Sequence, residues 1–203
     1  MYKGVKRALD VTFSLIGTAV SSPILLAVAA AVKLDSKGPV IFKQERLGKD
    51  GKVFEMYKFR TMTDKRDAEG NLLPDKDRLT KFGKLLRATS LDELPEFFNI
   101  LKGDMSFIGP RPTLTYHPWK LEEYTDFQRR RFEVRPGITG LAQVHGRKAI
   151  DWNDRIKYDV EYVDNLSLGL DCKILFQTVW NVLTMKDNDN VGKTSETKEN
   201  KDA

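Results

Sequence analysis

Between Val11 and Val32 the chain holds no charged side chain, and a Ser21-Ser22-Pro23 triplet sits at the middle of this run. As one helix the run extends about 33 Å, close to the hydrocarbon thickness of a bilayer. Pro23 has no N–H for the carbonyl four residues back, and its ring crowds that carbonyl. The sequence therefore predicts a helix broken at Ser22-Pro23. The hydroxyls of Ser21 and Ser22 can satisfy the freed carbonyls, which makes a break tolerable in lipid. Lys3, Lys6 and Arg7 precede the run, and Lys33, Lys37 and Lys43 follow it. Positive charge marks the cytoplasmic side of a membrane segment, so a helix that enters and returns fits better than a straight span. A cleaved signal peptide shares the basic start and the Ala27-Val28-Ala29 layout, but this run is longer than a usual signal core and Asp10 adjoins it. A buried core helix is the remaining alternative.

The net charge of +5 is unevenly placed. Residues 1–60 carry 11 Lys and Arg against 5 Asp and Glu, and the rest of the chain carries 23 against 24. A basic excess gathered around an apolar run points to an anionic membrane surface. It argues against nucleic acid as a partner, because a nucleic-acid-binding domain needs a basic surface of its own. At 203 residues the chain allows one domain with a sizeable core behind the apolar segment. The lone Cys172 excludes an intrachain disulfide and a thiolate zinc cluster, and reads as a small core residue. Oligomeric state is left open, a homodimer included.

Three parts follow: segment 1–38 as the re-entrant membrane helix with basic flanks, a domain over 39–186, and a tail over 187–203 too polar to fold. The domain reads as α+β and mainly helical. Val40 to Leu47 and Val53 to Arg60 form a small β-hairpin around Asp50-Gly51, a strong turn signal. Residues 63–78 are a charged surface loop. Leu79, Phe82, Leu85 and Leu86 have helical spacing, as do Leu94, Phe97, Phe98 and Leu101, whose helix ends near Lys102-Gly103. Residues 106–118 and 135–148 read as Pro- and Gly-rich loops, and 119–134 as a charged helix containing Arg129-Arg130-Arg131. Helices near 152–165 and 171–185 complete the domain. The last has a broad apolar face with Trp180 that suits either an amphipathic interfacial helix or core packing.

The sharpest chemical feature is Thr89-Ser90-Leu91-Asp92-Glu93-Leu94-Pro95. Ser90 with Glu93 spells a capping box, or Asp92 itself is the cap. In either case a helix N-terminus would keep Asp92 ionised, as a carboxylate nucleophile or metal ligand must be. The alternative is an ordinary capped helix on a solvated surface. In Gly109-Pro110-Arg111-Pro112 the flanking prolines restrict the backbone of Arg111, which suits bidentate phosphate binding or a plain rigid turn. The glycines of Arg135-Pro136-Gly137-Ile138-Thr139-Gly140, followed by Gln143 and Arg147, allow close approach of backbone to a ligand. Lys58 and Arg60 share one face of the second strand, with Phe59 opposite. His117 and His145 lack metal-ligand spacing, and neither a phosphate-loop nor a dinucleotide fingerprint is present.

In their joint order these segments, together with Gln44-Glu45-Arg46-Leu47-Gly48 and Lys58-Phe59-Arg60-Thr61-Met62, resemble the monotopic phosphoglycosyl transferases, also called the bacterial sugar transferase family. The likeness runs from about residue 2 to 185 and is to the small members made of the catalytic domain alone. Leu141 and His145 depart from it, standing where the family often has Trp and Asn. The resemblance implies transfer of a sugar-1-phosphate from a UDP-sugar donor to polyprenol (undecaprenyl) phosphate with release of UMP, as the first membrane step of glycoconjugate assembly. It implies magnesium (Mg2+) held by Asp92 and Glu93, a covalent phosphosugar on Asp92, and Glu93 as base, metal partner or positioning group. It assigns Lys58, Arg60, Arg87 and Arg111 to phosphates, and Gln143, Arg147 and Asp159 to further substrate contacts. Lys6, Arg7, Ser22 and Pro23 fall to the lipid and membrane. The implied location is the bacterial inner (cytoplasmic) membrane, monotopic, with the catalytic domain on the cytoplasmic face. From the residues alone the competing reading is a non-catalytic protein that binds anionic lipid.

Overall fold

A computed structural model describes residues 2–146 and 150–184. The apolar run lies in one 34-residue helix, α1 (Tyr2–Asp35), with Pro23 inside it. The helix continues through Ser22-Pro23 and does not end there. The carbonyl that Pro23 leaves without a partner is that of Ala19, and Ser22 Oγ donates to it at 2.8 Å. Ser21 Oγ donates likewise to the Gly17 carbonyl at 2.6 Å. Only 11% of the most apolar 18-residue window of α1 is buried, so α1 is not a helix of the domain core.

Both ends of α1 nevertheless rest on the same domain. Near the start, buried Asp10 accepts from Ser106 Oγ at 2.9 Å and from the Phe107 N–H at 3.1 Å. Gly17 lies against Phe97, where an added Cβ would meet the ring at 3.0 Å. Further along, Val28 and Val32 pack with Phe59 and Leu86. Lys6 and Arg7, expected at lipid phosphates, are turned into the protein. Lys6 Nζ sits 2.7 Å from Asp171, which also accepts from Tyr2 and Tyr162. Arg7 donates to the carbonyls of Ile100 and Leu101 at 2.6 and 3.0 Å. A buried carboxylate for Lys6 and helix-end carbonyls for Arg7, among them that of Ile100, which also accepts from the Gly103 N–H at 3.0 Å, explain why the two cations turn inward.

After α1 come β1 (Ile41–Leu47) and β2 (Val53–Phe59), an antiparallel hairpin pairing Ile41 with Phe59 and Leu47 with Val53. Its turn places Asp50 at φ 56° and Gly51 at φ 70°, the left-handed geometry that Asp-Gly supplies. The loop read over 63–78 contains a short helix, α2 (Asp75–Arg78). Next are α3 (Lys81–Thr89), α4 (Glu96–Lys102), β3 (Ser106–Ile108), α5 (Asp126–Arg129), β4 (Gly137–Thr139), α6 (Leu141–Gly146), α7 (Trp152–Asp164) and α8 (Leu168–Leu183). Two expected loops thus hold regular structure: β3 pairs with β4 in parallel, and α6 follows. The charged segment 119–134 is not one helix but two single turns flanking α5.

Asn99, fully buried on α4, clasps that helix to β2. Its Oδ1 accepts from the Tyr57 N–H at 2.9 Å, and its Nδ2 donates to the Glu55 carbonyl at 2.6 Å. One core cluster joins Leu47, Tyr124, Phe132, Ile156 and Val160, and another joins Ile108, Val134, Leu141, Tyr162 and Ile174. On α8 only Asp171 and Ile174 are buried, so Phe176, Trp180 and Leu183 stay exposed and do not pack in the core. Cys172 is exposed, contrary to its reading as a core residue, because it lies on α8 away from that buried face. The tail over 187–203 lies outside the described residues.

Candidate active site

A cleft of about 660 Å³ opens where the hairpin, the end of α3 and the Arg111 loop meet, and Asp92, Glu93, Lys58, Arg60, Arg87 and Arg111 all line it. Strand alternation does part of this placement. Lys58 faces the cleft while Phe59 is buried against α1 and α3. Arg60 follows the strand, donating from Nε to the Met62 carbonyl at 2.8 Å and pairing with Asp64. Thr80 Oγ1 caps α3 by accepting from the Gly83 N–H at 2.8 Å. Gly83 has to be glycine, since a Cβ there would lie 2.0 Å from the Thr61 carbonyl oxygen. This close approach lets Arg87, two turns along α3, reach Thr61 Oγ1 at 3.0 Å.

The Asp92-Glu93 dyad stands on a single helical turn, Leu91–Glu93, and not at the start of a longer helix. Ser90 closes α3 in the left-handed region at φ 56° and makes no side-chain cap, so the capping box does not form. The following helix, α4, starts only at Glu96, with Pro95 before it. A longer helix therefore does not begin behind Asp92. Burial pushes its carboxyl above the ordinary value and adjacent Glu93 adds to this, while Lys58 and Arg87 pull it back. Among the described residues Asp92 forms no ion pair within 4.0 Å.

Glu93 is held differently. Lys58 Nζ lies 2.6 Å from it and Arg111 3.5 Å. Burial would raise the Glu93 carboxyl, but these two cations outweigh burial and bring it well below the carboxylate range. Lys58 also reaches Glu96 at 3.3 Å. Glu96 is 3% exposed, and burial, with like charge from Glu93, pushes its carboxyl upward against the pull of Lys58. One ammonium thus serves two carboxylates, Glu96 buried and Glu93 partly so.

Asp159 lies away from the cleft. It is almost fully buried and pairs with Arg131 at 2.7 Å, and Arg131 in turn donates to the Arg111 carbonyl at 2.8 Å. The pair braces the Arg111 loop from behind. The glycines expected to approach a ligand approach backbone instead. A Cβ on Gly137 would lie 2.1 Å from the Gly109 nitrogen, and one on Gly140 would lie 2.1 Å from the Gly109 carbonyl oxygen. Gly109 N–H donates to the Thr139 carbonyl at 2.9 Å, which zips the two Gly-Pro segments together through β3 and β4. Gln143, which belongs to this layer, donates to the Ile138 carbonyl and does not line the cleft. Arg147 lies outside the described residues. The Arg129-Arg130-Arg131 run is spent on Tyr124, Glu122, Asp164, Asp159 and Arg111. Sequence reasoning missed Arg46, Glu96 and Arg131. For Glu96 a signal existed, since a position three beyond Glu93 falls on the same helical face.

The sequence model of the bacterial sugar transferases matches residues 1–185. The chain belongs to the bacterial sugar transferase family. This sugar transferase is similar to the Bacillus subtilis (strain 168) protein named "Uncharacterized sugar transferase EpsL", at 53% identity over 179 residues, 88% of this chain and 87% of that one. It is similar to a "UDP-glucose:undecaprenyl-phosphate glucose-1-phosphate transferase" of Klebsiella pneumoniae at 46% over 182 residues, 86% of this chain and 39% of the relative. A protein of the same name from Caulobacter vibrioides is 41% identical over 190 residues, 88% of this chain and 70% of the relative. The chain therefore spans well under half of the Klebsiella protein.

The state of Glu96 generates a prediction for this family member. A carboxyl whose value is raised on folding contributes stability that is full at low pH and lost as pH rises through its folded value. Glu96→Gln keeps an acceptor for Lys58 and removes the buried charge. The variant is expected to match the wild type near pH 4.5 and to exceed it in melting temperature by a margin that grows toward pH 8. A margin that shrinks over this interval would contradict the assignment.

Proposed function

We propose that this sugar transferase moves a sugar-1-phosphate from a UDP-sugar to polyprenol phosphate, releasing UMP, through a covalent phosphosugar on Asp92. The observation that carries the reading is the contrast within the dyad. Glu93 is clamped by Lys58 and Arg111, whereas Asp92 faces the same cationic cleft with no ion pair among the described residues. In the first half-reaction an Asp92 carboxylate oxygen bonds to the sugar-bearing phosphorus. The bond from that phosphorus to the bridging oxygen breaks, and UMP leaves with the electron pair. In the second, a phosphate oxygen of polyprenol phosphate attacks the same phosphorus. Asp92 is released as a carboxylate and a pyrophosphate linkage remains. Lys58, Arg111, Arg60 and Arg87 hold the phosphate oxygens where charge accumulates. Glu93 fixes Lys58 and Arg111 in position for this.

The donor set suits magnesium of the kind that binds one or two carboxylates together with substrate phosphates, with Asp92 as first ligand and Glu93 available only where Lys58 yields. When bound, magnesium would offset the repulsion between an anionic nucleophile and a pyrophosphate.

The chain is further proposed to sit monotopically on the cytoplasmic face of the membrane, with the exposed faces of α1 and α8 in lipid. In support, the two ends of α1 pack on one domain, which a helix crossing the bilayer at right angles would leave. The polyprenol phosphate headgroup then meets Asp92 at the membrane surface.

Two measurements test this. Purified protein in detergent with magnesium, polyprenol phosphate and a panel of UDP-sugars should release UMP with at least one donor, and Asp92→Asn should retain less than about one thousandth of that rate. No release from folded protein with any donor would favour the non-catalytic lipid-binding reading. For topology, single cysteines at Lys3 and Lys37 in a Cys172→Ser background should both react with an impermeant reagent from the cytoplasmic side only. Labelling from opposite sides would sink the monotopic arrangement.

A further inference from the structure

The Gln44-Glu45-Arg46-Leu47-Gly48 segment supplies one wall of the cleft through Gln44 and Arg46. Phe42, Gln44 and Arg46 alternate along β1, and all three line the cavity that contains Asp92. Arg46 is set beside Arg111 with unusual care. An isolated bridge joins Arg46 to Leu114, and the Leu47 N–H donates to the Thr113 carbonyl at 2.9 Å, so β1 and the Arg111 loop are tied together. The Arg46 guanidinium donates to Gln44 Oε1 at 2.6 Å and at longer range, 3.4 Å, to the Pro112 carbonyl. Its Nε is buried with no hydrogen-bond partner.

The charge arrangement is as notable. Lys58, Arg60, Arg78 and Arg111 in this cleft each have a carboxylate partner. Arg46 forms no ion pair among the described residues and lies next to a second guanidinium. Burial, then the positive charge of Arg111, bring it down to about 10. An orphaned buried donor beside a like charge is costly, and an anion that both guanidinium groups can share relieves both costs. The same end of the cleft carries an exposed aromatic side chain, Tyr116 at 66%, two residues beyond the Leu114 that bridges Arg46. An aromatic surface for a base next to paired guanidinium groups for a phosphate has the composition of a mononucleotide subsite.

We propose that Arg46, braced by Gln44, joins Arg111 in binding the phosphate of the leaving nucleoside monophosphate, with Tyr116 flanking its base. The assignment rests on the proposed reaction and names the end of the cleft from which UMP departs. The lipid acceptor's phosphate is left to the Arg60 and Arg87 side.

The probe is UMP, added to the full-length protein both as a product inhibitor and in direct calorimetric titration. Arg46→Met is expected to weaken UMP by at least about tenfold in both measurements, the loss that follows from removing hydrogen bonds between charged partners. The KM for polyprenol phosphate should stay unchanged. Arg46→Lys keeps the charge without the fork and should fall between the two, which keeps the test open should the Met variant fold poorly. If Arg46 only braces the Pro112 turn, the variants will lose melting temperature while the UMP constants stay put, and that result overturns the proposal. An equal rise in the acceptor KM, or a wild type that does not bind UMP, overturns it too. Wild-type turnover with UMP constants indifferent to Arg46 would sink this inference alone, whereas absence of any UMP release would sink the proposed function itself.

Discussion

The ammonium of Lys58 is the interaction on which the site depends. It lies 2.6 Å from Glu93 and 3.3 Å from Glu96, both largely buried, and it counters the burial that raises Asp92. Without it, three carboxylates would face one another in a half-dry cleft, and at least one would take up a proton. With it, Glu93 stays ionised and is fixed between two cations, and Asp92 is left facing the cleft with no ion pair among the described residues. The strand that presents Lys58 is fixed in turn by Asn99, which bonds to the strand on either side of Met56. The geometry of the dyad thus follows from an amide buried one helix away.

The long apolar helix and the catalytic cleft are parts of one packing problem. α1 cannot bury its outer face in so small a domain, and that face stays uncovered. Its inner face is specified by residues that would be odd in a free membrane anchor: Asp10, Ser14 and Gly17, each against a particular partner or wall of the domain. Val28 and Val32 then seat the far end of α1 on Phe59 and Leu86, next to the strand end that carries Lys58 and Arg60. The helix that would hold the protein at the lipid surface is therefore also a wall behind the cations of the cleft.

Much of this was legible in the sequence wherever a period existed to read. The hairpin, its Asp-Gly turn, α3, α7 and α8 follow from alternation or helical spacing, and Asp92, Glu93, Lys58, Arg60 and Arg111 stood out by type, whereas Arg46 did not. What was illegible lacked a local signal. β3 and β4 are three residues each and pair across a long separation, so neither shows alternation. Gly137 and Gly140 advertised a close approach correctly, but the neighbour is the backbone of Gly109 and not a ligand. Ser90 had the right spacing for a capping box, yet its left-handed backbone turns the chain before α4 begins. Arg131 stood in a run of three arginines within an expected charged helix and is among the most buried side chains, because Asp159 waits for it on α7. Lys6 and Arg7 looked lipid-facing because sequence places charge near an apolar run but cannot show which side chains have buried partners.

The central claim is that Asp92 carries the sugar phosphate between donor and acceptor. Intact-mass analysis after mixing the protein with a productive UDP-sugar, acceptor omitted, tests this most directly. The account predicts a mass increase of one sugar phosphate, mapped to the peptide containing Asp92, with stoichiometric release of UMP and loss of the adduct when polyprenol phosphate is added. An enzyme that turns over with both substrates present yet stays unmodified and releases no UMP without acceptor would contradict it, and would point to direct transfer between the two substrates.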